Sequence, residues 1–468
     1  AINPKLVKNK KNLLINLKII FPKKNFKKIS DKLDGDKFFY LEKKISPIKY
    51  EQLFLLGDKS IKEEQKISRI YPQSELFSHI VGQIDDNNNG ISGLERSFDY
   101  ELRSSEDPIT LTVDTDLQYL IRKELIHFKG IFNNIGSAAI LMNVNNGEII
   151  SMVSLPDFDL NKREKIEDEK YINRATKGVY ELGSVFKTFT LTAGLENNVI
   201  EANTIFENLE SKISCAGRSI SEHDKLPKNL SAEQILIRSS NIGSIRIAQK
   251  VGLEKYKKFL NSLNLFDEID FDLEEIGKPL PFRWGKCKLA TASFGHGITT
   301  TPLQLAKAYA IIGNGGFEIH PSIVRKDEKI KLNKKQIISS DTSKKINNIL
   351  RKVVANKEGT ANFANIKGYE VGGKTGTALK SIDGVYSEKK INTFVSLFPT
   401  SKPEYLLLVI LDEPKPAPDY VYEFPNNYKH TGEMRNTAGW NTVVVAGKII
   451  EKIGPILAIK NLQASKNF

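Results

Sequence analysis

Two groups of strand-like segments, set apart by a long helical stretch, constrain the fold of this chain more than any other feature. The first group is Ser137–Val144 and Glu148–Ser154, joined by Asn145-Asn146-Gly147, a strong tight-turn signal. The second covers 369–379, 391–398 and 404–412, with the last pair turning between Pro399 and Pro403. From about 170 to 315 the pattern is mostly helical. Ser231 with Gln234 and Thr301 with Gln304 read as capping boxes, and Pro302 occupies a first helical position. Gly252 and Gly313 stand where helix-ending glycines belong. A closing helix is expected over about 438–453. The early hairpin and the late strands can share one antiparallel sheet if the helices are inserted between them. The expected class is therefore α+β, with a cleft where the sheet meets a helical subdomain.

Upstream the pattern is weaker. Residues 1–60 read as short helices with one strand: a helical run from Pro22 to Leu33, a turn at Asp34-Gly35-Asp36, and a strand over Phe38–Ile45. Residues 85–90 form a polar loop, and Ser104-Ser105-Glu106-Asp107-Pro108 reads as a linker. A strand over Thr110–Val113 and a helix over 114–128 follow. The expected division is a smaller domain at 1–106 and a larger one at 107–468, in line with the length of 468 residues.

Composition narrows the function classes. Hydrophobic content of 40% with 27% charged residues is that of a folded globular chain. The longest apolar runs, such as Tyr405 to Leu411, are strand-sized, well short of the ~20 residues that span a bilayer. The chain opens at Ala1 and its first methionine is Met142, so residues upstream of Ala1 are expected to have been removed, a signal or anchor segment being one candidate that the sequence itself does not reveal. The net charge is +13, with lysines clustered at 8–11 and 23–28, a face suited to an anionic surface or simply a solvated one. Arginine is sparse and no nucleic-acid-binding pattern is present, so no nucleic-acid partner is expected. Cys215 and Cys287 cannot build a disulfide framework or a four-ligand metal site. Two separate thiols are expected, with one disulfide as the alternative. Six scattered histidines give no metal-binding spacing, and no metal or cofactor is expected.

Three short motifs carry chemistry. In Glu181-Leu-Gly-Ser184-Val-Phe-Lys187 a serine opens an apolar helix and a lysine returns to its face one turn later. Burial in that apolar helix would lower the lysine pKa and leave an amine able to take the serine proton. Helix-start N–H groups would favour a nearby oxyanion. Ser239-Ser240-Asn241 lies between two helices. There Ser239 can relay a proton and Asn241 can hold a substrate amide. Gly372-Gly-Lys374-Thr375-Gly376-Thr377 lies in a strand, where Lys374 with Thr375 and Thr377 suits a substrate carboxylate. Gly376 lets a backbone approach closely, and the Thr377 N–H can complete an oxyanion hole with that of Ser184. Each motif alone also fits a helix cap, a loop or an edge strand. Their order and spacing, Ser239 55 positions after Ser184 and Lys374 a further 135 on, place all three around one cleft.

The trio matches the S-x-x-K, S-x-N and K-T-G set of the penicillin-binding and β-lactamase enzymes, and the chain resembles the penicillin-binding transpeptidases over nearly its whole length. Tyr71-Pro72 through His79-Ile-Val-Gly82 to Gly90–Glu95 is similar to the N-terminal pedestal of class B members. Leu111–Asp114, Asn146–Met152, Phe294-Gly-His-Gly297 and Thr301–Leu305 are similar to landmarks of the transpeptidase domain. Lys37–Leu41 and the residues after Thr377 resemble the division-specific (septal) branch. Leu182 departs from the pattern, since members commonly carry proline two residues before the nucleophile. The resemblance implies a penicillin-binding/serine β-lactamase-like transpeptidase domain preceded by a smaller α+β pedestal. It implies a Ser184 acyl-enzyme that cross-links peptidoglycan stem peptides and is the target of β-lactams. By the same resemblance Lys187, Ser239, Asn241 and Lys374 are catalytic, and Thr375, Gly376 and Thr377 bind substrate. The implied setting is the periplasmic side of the cell inner membrane, held by one N-terminal helix. A lipid-linked glycan polymerase and other division proteins are the implied partners. An elongation-type enzyme, a β-lactamase or β-lactam sensor, and a non-catalytic division scaffold are the alternatives. A Ser-His-Asp hydrolase built on His223-Asp224 lacks the G-x-S-x-G elbow.

Overall fold

The computed structural model describes residues 1–43, 45–64, 69–162, 168–326, 335–382, 384–424 and 428–466. Two compact units emerge, Ala1–Arg69 and Ile70–Phe468. The division falls well before the polar stretch at 104–108. Residues 70–106 are bonded into the larger unit: Gln118 Nε2 donates to the Leu76 carbonyl at 3.0 Å, Gln83 Nε2 to that of Leu160 at 3.0 Å, and the Gly93 N–H to the Glu275 carboxylate at 2.9 Å.

The smaller unit has three helices, Lys10–Ile20, Phe26–Leu33 and Pro47–Leu55. Asn9 and Asn25 cap the first two through their side-chain oxygens. Leu13, Leu17, Ile20, Phe21, Ile29, Leu33 and Leu41 form its core. The strand expected over Phe38–Ile45 is reduced to a single bridge between Ile2 and Phe39, with Lys44 outside the described residues. The helix expected from Pro22 begins at Phe26, because Asn25 supplies the cap.

The larger unit is built on a five-stranded antiparallel sheet. Its strands are β1 (Gly136–Asn143), β2 (Ile149–Leu155), β3 (Gly372–Ile382), β4 (Val385–Phe398) and β5 (Tyr405–Asp412), in the order β2-β1-β5-β4-β3. The early hairpin and the late strands share this sheet, joined where β1 pairs β5 from Gly136↔Asp412 to Asn143↔Tyr405. All eight positions of β5 are buried, so helices cover both of its faces. One layer is α1 (Thr115–Phe132) with α6 (Thr442–Lys466), which pack on each other and on the sheet. Another is α4 (Pro302–Gly313), which packs on β1 and β5 and on α5 (Ser340–Ala355). The inserted block also holds α2 (Phe186–Glu196) and α3 (Asn241–Val251). Both capping boxes are formed, Gly252 ends α3 at φ +80°, and α4 runs through Gly313 to a cap at Asn314. The expected strand at 110–113 is one bridge, Leu111 to Val324. Among the described residues no helix is long and apolar enough to cross a membrane.

Cys215 and Cys287, expected as separate thiols, are joined in a disulfide across 72 positions. Cys215 sits at the turn of a small hairpin, Lys212–Cys215 with Arg218–Ser221, and Cys287 caps the short helix Lys288–Ala292. The fold brings together what sequence distance separates.

Candidate active site

Ser184 lies in a single 3-10 turn, Gly183–Val185, that leads directly into α2. Gly183 has φ +62°, a left-handed conformation that glycine adopts without cost, and it gives the chain a sharp entry into the serine turn. All of α2 from Phe186 to Leu195 is buried, so the lysine one turn after Ser184 is almost wholly shielded from water. Burial pulls the Lys187 ammonium down from the usual lysine range to about 7, against a weaker opposing pull from Glu222.

Ser239 meets that lysine. Lys187 Nζ donates to the Ser239 carbonyl at 2.5 Å and to Ser239 Oγ at 3.0 Å. Lys374 Nζ, arriving from β3, donates to the same Oγ at 2.9 Å. One hydroxyl therefore stands between two buried amines. Burial and the neighbouring Lys187 charge hold Lys374 well below its ordinary value, because two ammonium groups cannot share a dry site at low cost. Ser184 Oγ is not among the hydrogen-bond partners of Lys187, so the serine and its lysine are related by the helical turn alone.

The conformation of Ser239 explains how its hydroxyl gets there. The helix Ala232–Ile237 ends at Arg238, and Ser239 follows with φ +59°. Its N–H donates to the Leu236 carbonyl at 3.2 Å, and the Ser240 N–H to that of Ile235 at 2.9 Å. This is the paired-bond helix ending whose left-handed position is normally glycine. Serine there costs about 1–2 kcal/mol relative to a relaxed residue, and a hydroxyl is what it gains.

Asn241 opens α3. Its Nδ2 donates to the Ser221 carbonyl at 2.9 Å, while its buried Oδ1 has no partner. A buried acceptor left open two residues after Ser239 is suited to an incoming N–H.

β3 is the sheet edge, and it runs hard against the serine turn. A Cβ on Gly376 would sit 2.2 Å from the Leu182 carbonyl oxygen, so only glycine fits. Lys374 Nζ also reaches the Thr375 carbonyl at 3.1 Å. The Thr375 hydroxyl pairs with that of Thr360 at 2.9 Å, and Thr377 Oγ1 accepts from the Ala438 N–H at 2.9 Å, which leaves its proton free to donate. The eight predicted positions thus lie on three adjoining pieces: the serine turn with α2, the loop into α3, and the edge strand. Asp224 is paired with Arg435 rather than with His223, and His223 lies close enough to Lys187 and Glu222 to feel both charges, so the two residues form no Ser-His-Asp arrangement.

Three contributors were not legible in sequence. Glu222 holds the start of α3, accepting from Ser240 Oγ at 2.6 Å and from the N–H groups of Asn241 at 2.7 Å and Ile242 at 2.9 Å. Glu181 accepts from the Gly297 N–H at 2.9 Å and from the Tyr386 hydroxyl at 2.9 Å, which ties the residue three before Ser184 to two other segments. Thr360 is the third. Glu181 opens the first motif with no role assigned to it there, Glu222 and Thr360 belong to no motif, and the contacts of all three arise only through tertiary packing.

Comparison with known proteins points to one family. Residues 137–427 match the penicillin binding protein transpeptidase domain. The probable peptidoglycan D,D-transpeptidase FtsI of Caulobacter vibrioides is 31% identical over 98% of this chain and 78% of that protein. Peptidoglycan D,D-transpeptidase FtsI of Escherichia coli is 27% identical over 82% of the chain and 69% of that protein. Among solved structures, apo penicillin-binding protein 3 of Mycobacterium tuberculosis superposes with a TM-score of 0.73 at 23% identity, covering 84% of this chain and 91% of that one. The α+β fold read from the sequence is the fold of these proteins. The chain belongs to the penicillin-binding protein transpeptidase family, as a class B, FtsI-like member.

Proposed function

We propose that this chain cross-links peptidoglycan stem peptides through an acyl-enzyme on Ser184, as the transpeptidase of septal wall synthesis. A D,D-transpeptidase activity follows from membership of the family. The observation that supports the residue assignment is the single Ser239 hydroxyl bonded to both Lys187 and Lys374.

Uncharged Lys187 takes the Ser184 proton as Ser184 Oγ attacks the carbonyl carbon of the D-Ala–D-Ala bond. The N–H groups of Ser184 and Thr377 hold the oxyanion of the tetrahedral intermediate. When the C–N bond breaks, the proton held at Lys187 passes through Ser239 Oγ to the departing nitrogen, and D-alanine leaves. A second stem-peptide amine then attacks the ester carbon and its proton returns to Lys187. Ser184 recovers its own proton as the ester C–O bond breaks. Asn241 Oδ1 accepts the donor peptide N–H, and Gly376 lets the peptide lie along the free edge of β3. Lys374 with Thr375 and Thr377 binds the terminal carboxylate, whose charge draws Lys374 back to the ammonium form.

The pedestal role falls in this reading to the N-terminal residues, Ala1–Arg69 as a compact unit and 70–106 bonded within the larger one. Division proteins, a lipid-linked glycan polymerase and an inner-membrane anchor outside this sequence complete the setting, with the catalytic unit in the periplasm. The reading separates from a β-lactamase by turnover. Benzylpenicillin should leave a long-lived adduct with slow or absent hydrolysis, whereas rapid hydrolysis would assign the site to the other class.

One substitution splits stability from chemistry. Ser239→Gly relieves the left-handed position and should stabilise the chain by about 1 kcal/mol, read from denaturant unfolding. The same change removes the relay hydroxyl and should lower the acylation rate by ~10²-fold or more.

A further inference from the structure

The start of α3 is held more firmly than a helix requires. Ser240 already caps it, its Oγ accepting from the Gly243 N–H at 2.9 Å. Yet the Glu222 carboxylate, delivered by a different element, takes the Ser240 hydroxyl proton and the N–H groups of both Asn241 and Ile242. With its proton committed to Glu222 and a lone pair to Gly243, the Ser240 hydroxyl has one available orientation. The preceding residue, Ser221, fixes the Asn241 amide by accepting from Nδ2, so Oδ1 is the end left open. The hairpin carrying Ser221 and Glu222 is held at its far end too, by the Cys215–Cys287 bridge to the helix Lys288–Ala292.

We propose that Glu222 is a positioning residue for the acylation reaction, locking Ser239-Ser240-Asn241 so that the Ser239 hydroxyl and the Asn241 amide oxygen stay in register with Lys187. It does not touch the substrate. It acts through the loop, and its anionic charge supports Lys187 against burial. The other charged or titratable groups around this pair are Lys374 on β3 and His223, which burial keeps below its usual value and which Lys187, Asp224 and Lys390 also influence. The proposal rests on Ser184 and Lys187 acting as described above.

The test is the second-order rate of acylation by a fluorescent penicillin, followed across about pH 5 to 9, for parent, Glu222→Gln and Glu222→Asp. Glutamine keeps the size, loses the charge and turns one hydrogen-bond acceptor into a donor. The expected result is a fall of ~10–100-fold at high pH, since a small misplacement of catalytic groups is that costly. The acid limb of the profile should also move to lower pH, because Lys187 loses its anionic neighbour, and aspartate should restore part of the rate. A folded glutamine variant with a parental rate, or a slowed one with an unmoved acid limb, overturns the proposal, the second outcome being that of a plain helix cap. Should the glutamine variant fail to fold, the aspartate variant decides: a rate several-fold below parent at parental thermal stability supports positioning, and a parental rate refutes it. Mapping the parent adduct keeps the two claims apart, since an adduct away from Ser184 removes the reading of the site whatever Glu222 does.

Discussion

Ser184→Ala should abolish covalent labelling by penicillins while leaving the fold untouched. Ser184 is half-buried in a one-turn segment, so loss of one oxygen there creates no large cavity and disturbs no recorded hydrogen bond. The expected change in stability is within about 0.5 kcal/mol, as at positions away from packing and caps. Acylation, by contrast, has no second route. Among the described residues no other hydroxyl stands at a helix entry one turn before a buried lysine, and Ser239 is already enclosed by two amines. The expected drop is ~10³-fold or greater, the scale found when a nucleophile is removed from a cooperating set. Gel fluorescence with a labelled penicillin, beside a thermal melt, reads both halves.

Lys187→Met is the second large effect, and it works in opposite directions on rate and stability. Methionine fills the same channel without an amine, so proton removal from Ser184 loses its base and the rate should fall by ~10³-fold or more. The sign of the stability change follows from the direction of the pKa shift. Lys187 is drawn from 10.5 to about 7 by burial, so the folded state prefers the neutral amine. That preference costs nothing above the unfolded pKa and costs progressively more as pH falls through the interval toward 7. At neutral pH the chain therefore gives up stability to hold this lysine, of the order of 2–4 kcal/mol, which methionine should return. The same shift sets the pH dependence of the parent: acylation should rise about tenfold per pH unit below pH 7 and level off above it. A methionine variant that unfolds earlier than the parent, or a parent rate that is flat from pH 5 to 7, contradicts the base assignment.

The sheet and the motifs were readable because they rest on local signals. Asn145-Asn146-Gly147 between two apolar runs fixed the hairpin, and Ser231…Gln234 and Thr301…Gln304 fixed two helix starts, each device lying within a few residues. The three motifs proposed to carry the chemistry were equally local. What failed lacked such a signal. Phe38–Ile45 has the apolar content of a strand, but among the described residues only Ile2 comes to pair with it, and a strand without a partner does not form. The break at Arg69 rather than at the polar 104–108 stretch depends on bonds from Leu76, Gln83 and Gly93 to residues far along the chain. The Cys215–Cys287 pairing and the role of Glu222 are of the same kind. Both require the hairpin at 212–221 to be folded against α3 first. Sequence pattern marks the three motifs, and tertiary packing supplies the residues that hold them.

The central claim is that Ser184 becomes acylated because a buried amine lies one turn away and a shared hydroxyl links it to Lys374. Intact-protein mass spectrometry after brief benzylpenicillin treatment, followed by peptide mapping, tests this most directly. The account predicts one adduct per chain, carried by the peptide that contains Ser184 and absent from Ser184→Ala. An unmodified protein, or an adduct that survives in Ser184→Ala, would contradict it.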